Sequence, residues 1–181
     1  MKNPLRLLSA LLLALALIAA GCGDDDESSA PEPEVASDPT FPEGSTLARL
    51  ADAGAIRIGT KYDQPGLGNI DLETDEPEGF DVEIGKIVAG KLGIEPDGIE
   101  WIETVSANRE AFITGDRVDL VIATYAINDE RKQEIDFAGP YYVAGQDLLV
   151  GQDDDSINGP DDLAGKRVCA ASGSTPGRST P

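Results

Sequence analysis

Residues 109–146 read REAFITGDRVDLVIATYAINDERKQEIDFAGPYYVAGQ, and this stretch decides the fold. Its pattern predicts a helix, a strand, a tight loop, a second helix and an aromatic-rich crossing segment. Arg109 and Arg131 stand at the starts of the two helices. A helix N-terminus carries partial positive charge, so arginine is a poor local choice there. Because both arginines follow the carboxyl ends of predicted strands, they indicate a crevice for an anionic ligand.

The residues around this stretch continue the alternation of strands and helices. Apolar runs predict strands at residues 56–60, 99–102 and 118–123. Helical spacing and caps predict helices at residues 47–53, 80–92, 106–113 and 129–135. This order is typical of an α/β fold with a parallel sheet and right-handed crossovers.

The remaining segments give weaker signals. Residues 63–69 are rich in Gly, Pro and Asn and are interpreted as a loop. Further strands are predicted at residues 146–150 and 167–171, with a short helix and turn at residues 161–166 between them. The tail, residues 176–181, carries no folding signal.

The N-terminus has the pattern of a targeting segment. Lys2 and Arg6 precede an apolar run that is too short for a spanning helix and ends in Ala-Ala-Gly before Cys22. This resembles the bacterial lipoprotein signal, which implies a signal peptide at residues 1–21 and a lipid on the Cys22 thiol. The alternative is an ordinary secretory signal in which Cys22 is incidental. Residues 22–45 are then the anchor and a disordered acidic tether.

Composition excludes several classes of function. The chain has 181 residues and a net charge of −20, which argues against binding nucleic acid. It has no histidine and only two cysteines, Cys22 and Cys169, so a His/Cys metal site and a histidine-dependent nucleophile are not expected. Cys169 is interpreted as a free thiol or as half of a disulfide without its mate. No cofactor is expected.

Five short motifs follow one another at spacings that match a known family. They are EGFDVE at residues 78–83, GDRVDLVIAT at 115–124, ERKQEIDF at 130–137, PYY at 140–142 and GKRV at 165–168. Together they resemble the extracytoplasmic amino-acid-binding proteins of ABC importers, which have the type II solute-binding fold. The glutamate-binding members look most similar, especially at GTKYDQPGL, residues 59–67.

The resemblance implies two α/β lobes that close over the ligand. Lobe one would be complete in residues 46–145, with a parallel or mixed sheet. Residues 146–150 would be a hinge strand, and residues 151–181 only the start of lobe two, as in a C-terminally truncated chain. It further implies an exported monomer, anchored by lipid to the outer face of the bacterial cell membrane, whose partners are an amino acid and the ABC permease.

The resemblance also assigns roles to individual residues. Arg131 would bind the ligand α-carboxylate as a two-pronged ion pair. Arg109 would face a side-chain carboxylate. The other implied contacts are Lys61, Ser106, Thr124, Ala126, Ser174 and Thr175. Ala126 stands where the family usually has serine or threonine, so only its backbone would serve. Each of these residues also has a plain structural interpretation, as a cap, a turn or a solvated charge.

These observations favour a binding protein that captures an acidic amino acid, with glutamate as the expected ligand, over an enzyme. Three alternatives remain. Similar folds occur in cyclohexadienyl dehydratases and in ligand-binding sensory modules, and the chain could also be a non-functional fragment. A dehydratase would need catalytic carboxylates that the sequence does not reveal. A sensory module would need a transmembrane helix after the domain.

Overall fold

The computed structural model describes residues 33–179, and the predicted signal peptide and Cys22 lie outside them. The central element is a parallel sheet of three strands, β1 (Ile56–Thr60), β5 (Ile99–Glu103) and β6 (Leu120–Val121), in the order β5-β1-β6. β1 is therefore the middle strand, and four of its five residues are buried. The predicted α/β fold with a parallel sheet is confirmed.

Two helices frame the sheet, α1 (Thr46–Ala53) and α2 (Phe80–Lys91). The Ser45 hydroxyl caps α1 by accepting from the Ala48 amide, as expected for a serine at this position. Gly79 precedes α2 with φ of 111°, and a Cβ there would come 2.5 Å from the Leu67 carbonyl oxygen. Only glycine fits such a backbone and so close a contact. Both helices match their predicted bounds within two residues.

The core lies between α2 and the sheet. Gly85 faces Trp101 of β5, since an added Cβ would lie 2.6 Å from the indole ring, so the helix packs closely on the strand. The buried apolar side chains of this core are Leu50, Ile56, Ile58, Ala89, Leu92, Ile94 and Ile122. At about 25 cal/mol per Å² of buried apolar surface, this packing is the main favourable term that holds the carboxyl ends of the strands in place.

A second small sheet was not predicted. β2 (Asp63–Gln64), β3 (Gly68–Ile70) and β4 (Pro77–Glu78) pair antiparallel, with Asp63 opposite Asn69 and Ile70 opposite Pro77. The interpretation of residues 63–69 as a loop was therefore wrong. Strands of two or three residues are too short to show an alternating pattern in the sequence. The turn between β2 and β3 has Gly66 at φ of 79° and a hydrogen bond of 3.0 Å from the Leu67 amide to the Gln64 carbonyl.

Two predicted elements near the arginines are shorter than expected. The third strand is only β6, whose pairing with β1 is limited to Leu120 opposite Ile58 and Val121 opposite Gly59. The helix expected at residues 129–135 is a single 3₁₀ turn, Arg131–Gln133, although Asn128 caps it as predicted by accepting from the Arg131 amide at 2.9 Å. α3 (Arg109–Thr114) begins at Arg109, after a 3₁₀ turn at Ser106–Asn108.

The strands predicted at residues 146–150 and 167–171 do not form. Leu149 and Val168 are instead exposed, since the part of the chain that the structure describes offers no neighbouring strand to accept their backbone hydrogen bonds. The 3₁₀ turn Pro160–Leu163 agrees with the helix and turn predicted nearby. The tail was expected to lack structure, but α4 (Thr175–Ser179) includes most of it.

The N-terminal end of the described chain is packed, which corrects part of the predicted tether. The Ala36 amide donates to the Gly90 carbonyl of α2 at 2.8 Å, and Phe41 packs against the core. Gly90 allows this approach, because a Cβ there would lie 2.7 Å from the Glu34 carbonyl oxygen. Across residues 33–179, none of the helices has the length and apolar character needed to cross a membrane.

Candidate functional site

The predicted site residues gather at the carboxyl ends of β1, β5 and β6. Lys61 follows β1, Ser106 lies three residues after β5, and Thr124 lies three residues after β6. The Lys61 ammonium donates to the Ser106 hydroxyl at 3.3 Å and pairs with the Asp63 carboxylate at 3.2 Å. Lys61 is only 3% exposed, so its charge is held in a largely desolvated position.

Arg109 is buried, with 2% exposure, at the first position of α3. Its guanidinium donates to backbone carbonyl oxygens: Ser106 at 3.2 Å, Ala123 at 3.2 Å and Thr124 at 3.4 Å. These carbonyls belong to the segments that follow β5 and β6. Arg109 therefore joins the ends of two strands as well as presenting a positive charge.

Arg131 is almost fully buried, with 1% exposure. Its Nε lies 3.2 Å from the Glu110 carboxylate, and one terminal nitrogen donates to the Ala126 carbonyl at 2.8 Å and to the Thr175 hydroxyl at 3.1 Å. Ala126 itself is exposed and contributes a backbone carbonyl, where the sequence predicted a backbone N–H. An ion pair and two hydrogen bonds thus hold the Arg131 guanidinium in place.

The two arginines meet at Gly173. Arg109 and Arg131 each donate from a terminal nitrogen to the Gly173 carbonyl oxygen, at 3.3 and 3.1 Å. Gly173 has φ of +76°, and a Cβ there would lie 2.6 Å from the Ala107 Cα, so the close approach requires glycine. Thr175 contacts Arg131, whereas the Ser174 hydroxyl accepts from the Gly177 amide within its own turn.

Thr124 is held by side chains that the sequence did not single out. Its φ is +44°, unusual for a β-branched residue. Its amide donates to the Asp81 carboxylate at 2.6 Å, and its hydroxyl donates to the Gln64 side chain. Asp81 is 1% exposed and also accepts from the Tyr141 hydroxyl at 2.8 Å. Burial and the Asp81 carboxylate raise the pKa of Tyr141.

Tyr125 is a second residue that the sequence did not indicate. The Cζ atoms of Arg109 and Arg131 lie over its ring, 4.1 and 4.8 Å from the centroid. Burial and the Glu110 carboxylate raise the pKa of Tyr125. Partial burial opposes ionisation of Glu110, but Tyr125, a backbone hydrogen bond and the charges of Arg131 and Arg109 lower the pKa of its carboxyl.

The resulting arrangement is a cation-rich donor set. Lys61, Arg109 and Arg131 converge on one end of the sheet, with Glu110 and Asp63 as the nearest acidic partners. Such donors suit a ligand with carboxylate groups. Residues 33–179 hold no group of three or more His, Cys, Asp or Glu side chains placed for a metal ion.

Another acidic residue, Asp119, plays a structural part away from the cationic site. Its carboxylate binds Arg57 of β1 at 2.9 Å and Arg49 at 3.2 Å, and it also accepts from the Arg57 amide. The Arg57 hydrogen bond lowers the pKa of Asp119 to about 2, against partial burial. This pairing ties the segment before β6 to β1 and α1.

Comparison with known proteins identifies the family. The profile of the bacterial extracellular solute-binding proteins, family 3, matches residues 56–175. The glutamate-binding protein GluB of Corynebacterium glutamicum is 42% identical over 138 residues, which cover 74% of this chain and 46% of that protein. A glutamine-binding protein of Geobacillus stearothermophilus is 36% identical over 168 residues, covering 92% of this chain and 64% of that protein.

Solved structures give the same fold. A structure described as an ancestral arginine-binding protein bound to glutamine is 34% identical, with a TM-score of 0.65, and the match covers 70% of this chain and 55% of that one. The chain spans about half the length of GluB. The expected type II solute-binding fold is confirmed.

Proposed function

This chain belongs to family 3 of the bacterial extracellular solute-binding proteins, and from that premise we propose that it captures glutamate for an ABC importer. It would act outside the cytoplasmic membrane, anchored by a lipid on Cys22, and would deliver the amino acid to the permease. Relatives named for binding glutamate and glutamine support an amino-acid ligand. Within this proposal, residues 46–145 form lobe one, residues 146–150 the hinge and residues 151–181 the beginning of lobe two.

The observation that carries the acidic specificity is the convergence of two buried arginines on one oxygen acceptor. Arg109 and Arg131 both reach the Gly173 carbonyl, and each is at most 2% exposed. Glu110 supplies one negative charge beside two buried guanidinium groups, and a carboxylate acceptor makes a stronger charge-assisted hydrogen bond with them than a neutral carbonyl does. A ligand carboxylate would supply that charge at the position of the Gly173 carbonyl oxygen.

Lys61 and Ser106 supply a second set of donors for the same ligand. They hydrogen-bond to each other at the ends of β1 and β5, and both are at most 6% exposed. Glutamate carries two carboxylates, so it would use the arginine pair and this pair together. Glutamine carries a neutral amide in place of the second carboxylate, so either the arginine pair or the Lys61–Ser106 pair would bind a neutral group. The proposal therefore ranks glutamate above glutamine.

Binding is tested by equilibrium dialysis of the full chain with labelled glutamate and competition by unlabelled amino acids. The proposal predicts saturable binding that glutamate displaces first, glutamine more weakly, and lysine at none of the concentrations used. Equal displacement by lysine would contradict the acidic specificity. Absence of saturable binding of any amino acid would contradict the proposed function itself.

The anchor is tested separately in cells. The wild-type chain should incorporate labelled fatty acid and fractionate with the membrane, whereas Cys22→Ser should not be labelled. A Cys22→Ser protein of mature size that stays in the membrane fraction would contradict the lipid anchor and leave the ligand proposal intact.

A further inference from the structure

A single aromatic ring contacts both arginines of the site. The Tyr125 ring centroid lies 4.1 Å from the Arg109 Cζ and 4.8 Å from the Arg131 Cζ. The ring is itself held by Phe137, whose centroid is 5.2 Å away at an interplanar angle of 63°, an edge-to-face contact. Contact with Phe137 therefore restricts the Tyr125 ring. The residues on either side in the sequence also bind the arginines: the Thr124 carbonyl accepts from Arg109 and the Ala126 carbonyl from Arg131.

An aromatic face has a chemical advantage in this position. A cation over a ring is attracted by the π-electron density. The N–H bonds of a guanidinium lie in its plane, so contact over the Cζ atom uses none of its five donors. A carboxylate in the same place would occupy those donors and compete with an anionic ligand. The ring instead attracts both guanidinium groups and leaves their N–H bonds available for an acceptor.

The hydrogen bonds show where those donors point. Terminal nitrogens of Arg109 and Arg131 reach one oxygen, that of Gly173, although the two residues stand 22 positions apart in the sequence. Two positive charges so close together repel each other, and the repulsion is strong where water is excluded. Glu110 offsets this repulsion through its ion pair with Arg131, and the Tyr125 ring offsets it through its contacts with both guanidinium groups.

We propose that Tyr125 is a positioning residue that sets ligand specificity: its ring holds Arg109 and Arg131 so that both grip one carboxylate. This inference rests on the proposed function of the same site. It predicts that the ring, and not the hydroxyl, carries the effect. Without the ring the two guanidinium groups separate, and the site loses its preference for a carboxylate over an amide.

Calorimetric titration of the full chain with glutamate and with glutamine tests the proposal in four proteins: wild type, Tyr125→Phe, Tyr125→Leu and Phe112→Leu. Phe112 is the matched control, because its ring lies 4.1 Å from the Arg117 Cζ, in a cation–π pair formed with an arginine other than Arg109 and Arg131. Tyr125→Phe and Phe112→Leu should keep both affinities within about threefold of wild type. Tyr125→Leu should lower glutamate affinity at least thirtyfold and reduce the glutamate-to-glutamine ratio at least tenfold.

Unchanged selectivity in a folded Tyr125→Leu protein would overturn the proposal, and so would an equal loss in Tyr125→Phe. NMR of the arginine side chains in wild type tests the position of the Tyr125 ring without relying on the Tyr125→Leu protein. The Arg109 and Arg131 Nε–H signals should both show ring-current shifts in wild type. Both shifts should persist in Tyr125→Phe, which keeps an aromatic ring. Their absence in wild type would contradict the geometry. Failure of the wild-type chain to bind any amino acid would instead contradict the proposed function, whereas unchanged selectivity in a chain that binds would contradict only the role of Tyr125.

Discussion

Arg109 and Arg131 donate to the same carbonyl oxygen, that of Gly173, from the starts of two separate elements. The family resemblance implied different roles for these arginines, with Arg109 at the ligand side chain and Arg131 at its α-carboxylate. Their convergence favours a shared subsite instead. If a ligand carboxylate takes the place of the Gly173 carbonyl oxygen, we expect binding to shift the position of residues 173–175.

Replacement of Arg131 by lysine tests the need for a fork. Arg131→Lys keeps the positive charge but cannot reach Glu110, Ala126 and Gly173 together. If both arginines bind one side-chain carboxylate, affinity for glutamate should fall by about 1.5–3 kcal/mol for a lost charge-assisted contact, and affinity for glutamine should fall by less. Titration calorimetry of both ligands gives the comparison. An equal loss for both ligands would show that Arg131 binds the α-carboxylate and does not share a side-chain subsite with Arg109.

Replacement of Gly173 by alanine tests the docking of residues 173–175. A Cβ at Gly173 would lie 2.6 Å from Ala107, whereas Gly165 has nearly the same φ, +75°, with nothing within 4 Å of an added Cβ. Gly165→Ala therefore carries the same backbone strain, about 1–2 kcal/mol, without the clash. Amides of residues 171–177 should exchange with deuterium faster in Gly173→Ala than in Gly165→Ala. Equal exchange in the two variants would show that this segment does not depend on close contact with Ala107.

The depressed pKa of Asp119 predicts how stability depends on pH. A carboxyl whose folded pKa is about 2, below its unfolded value near 3.9, contributes stability that is complete above the unfolded pKa. That contribution is lost as the pH falls through about 2. Asp119→Asn should therefore reduce the free energy of unfolding by about 1–2 kcal/mol at pH 7, since its arginine partners are partly exposed. Urea unfolding at pH 7 and pH 2 measures the difference, and an equal penalty at both pH values would contradict the role of the ionised carboxylate.

The periodicity of apolar residues was sufficient to predict the strands and helices that bury one continuous face. The strand at residues 56–60 and helix α2 formed as predicted, because their apolar side chains repeat at the spacing of each structure. The strands at residues 146–150 and 167–171 failed for a tertiary reason. Their β-forming residues find no neighbouring strand within the described part of the chain, and local preference does not replace backbone pairing.

The candidate site also combines residues that the sequence could predict with residues that it could not. Lys61, Arg109 and Arg131 could be predicted, since charged residues after strand ends stand out in an acidic sequence. Asp81 could not, because its partner Thr124 lies 43 residues away. One signal did exist: Asp81 shares a helix face with Ile84, three positions on, which packs against the core, and a buried carboxylate requires partners. Tyr125 carries no such signal, because its role depends on where two distant guanidinium groups meet.

The most direct test of an acidic-ligand site is the effect of Arg109→Ala on glutamate and glutamine binding, measured by titration calorimetry of the full chain. Unfolding measurements on the same protein establish that the fold survives. Loss of a buried charge-assisted contact should weaken glutamate binding by about 1.5–3 kcal/mol and glutamine binding by clearly less. An equal loss for both ligands, or tighter binding of glutamine than of glutamate by the wild-type chain, would contradict the account.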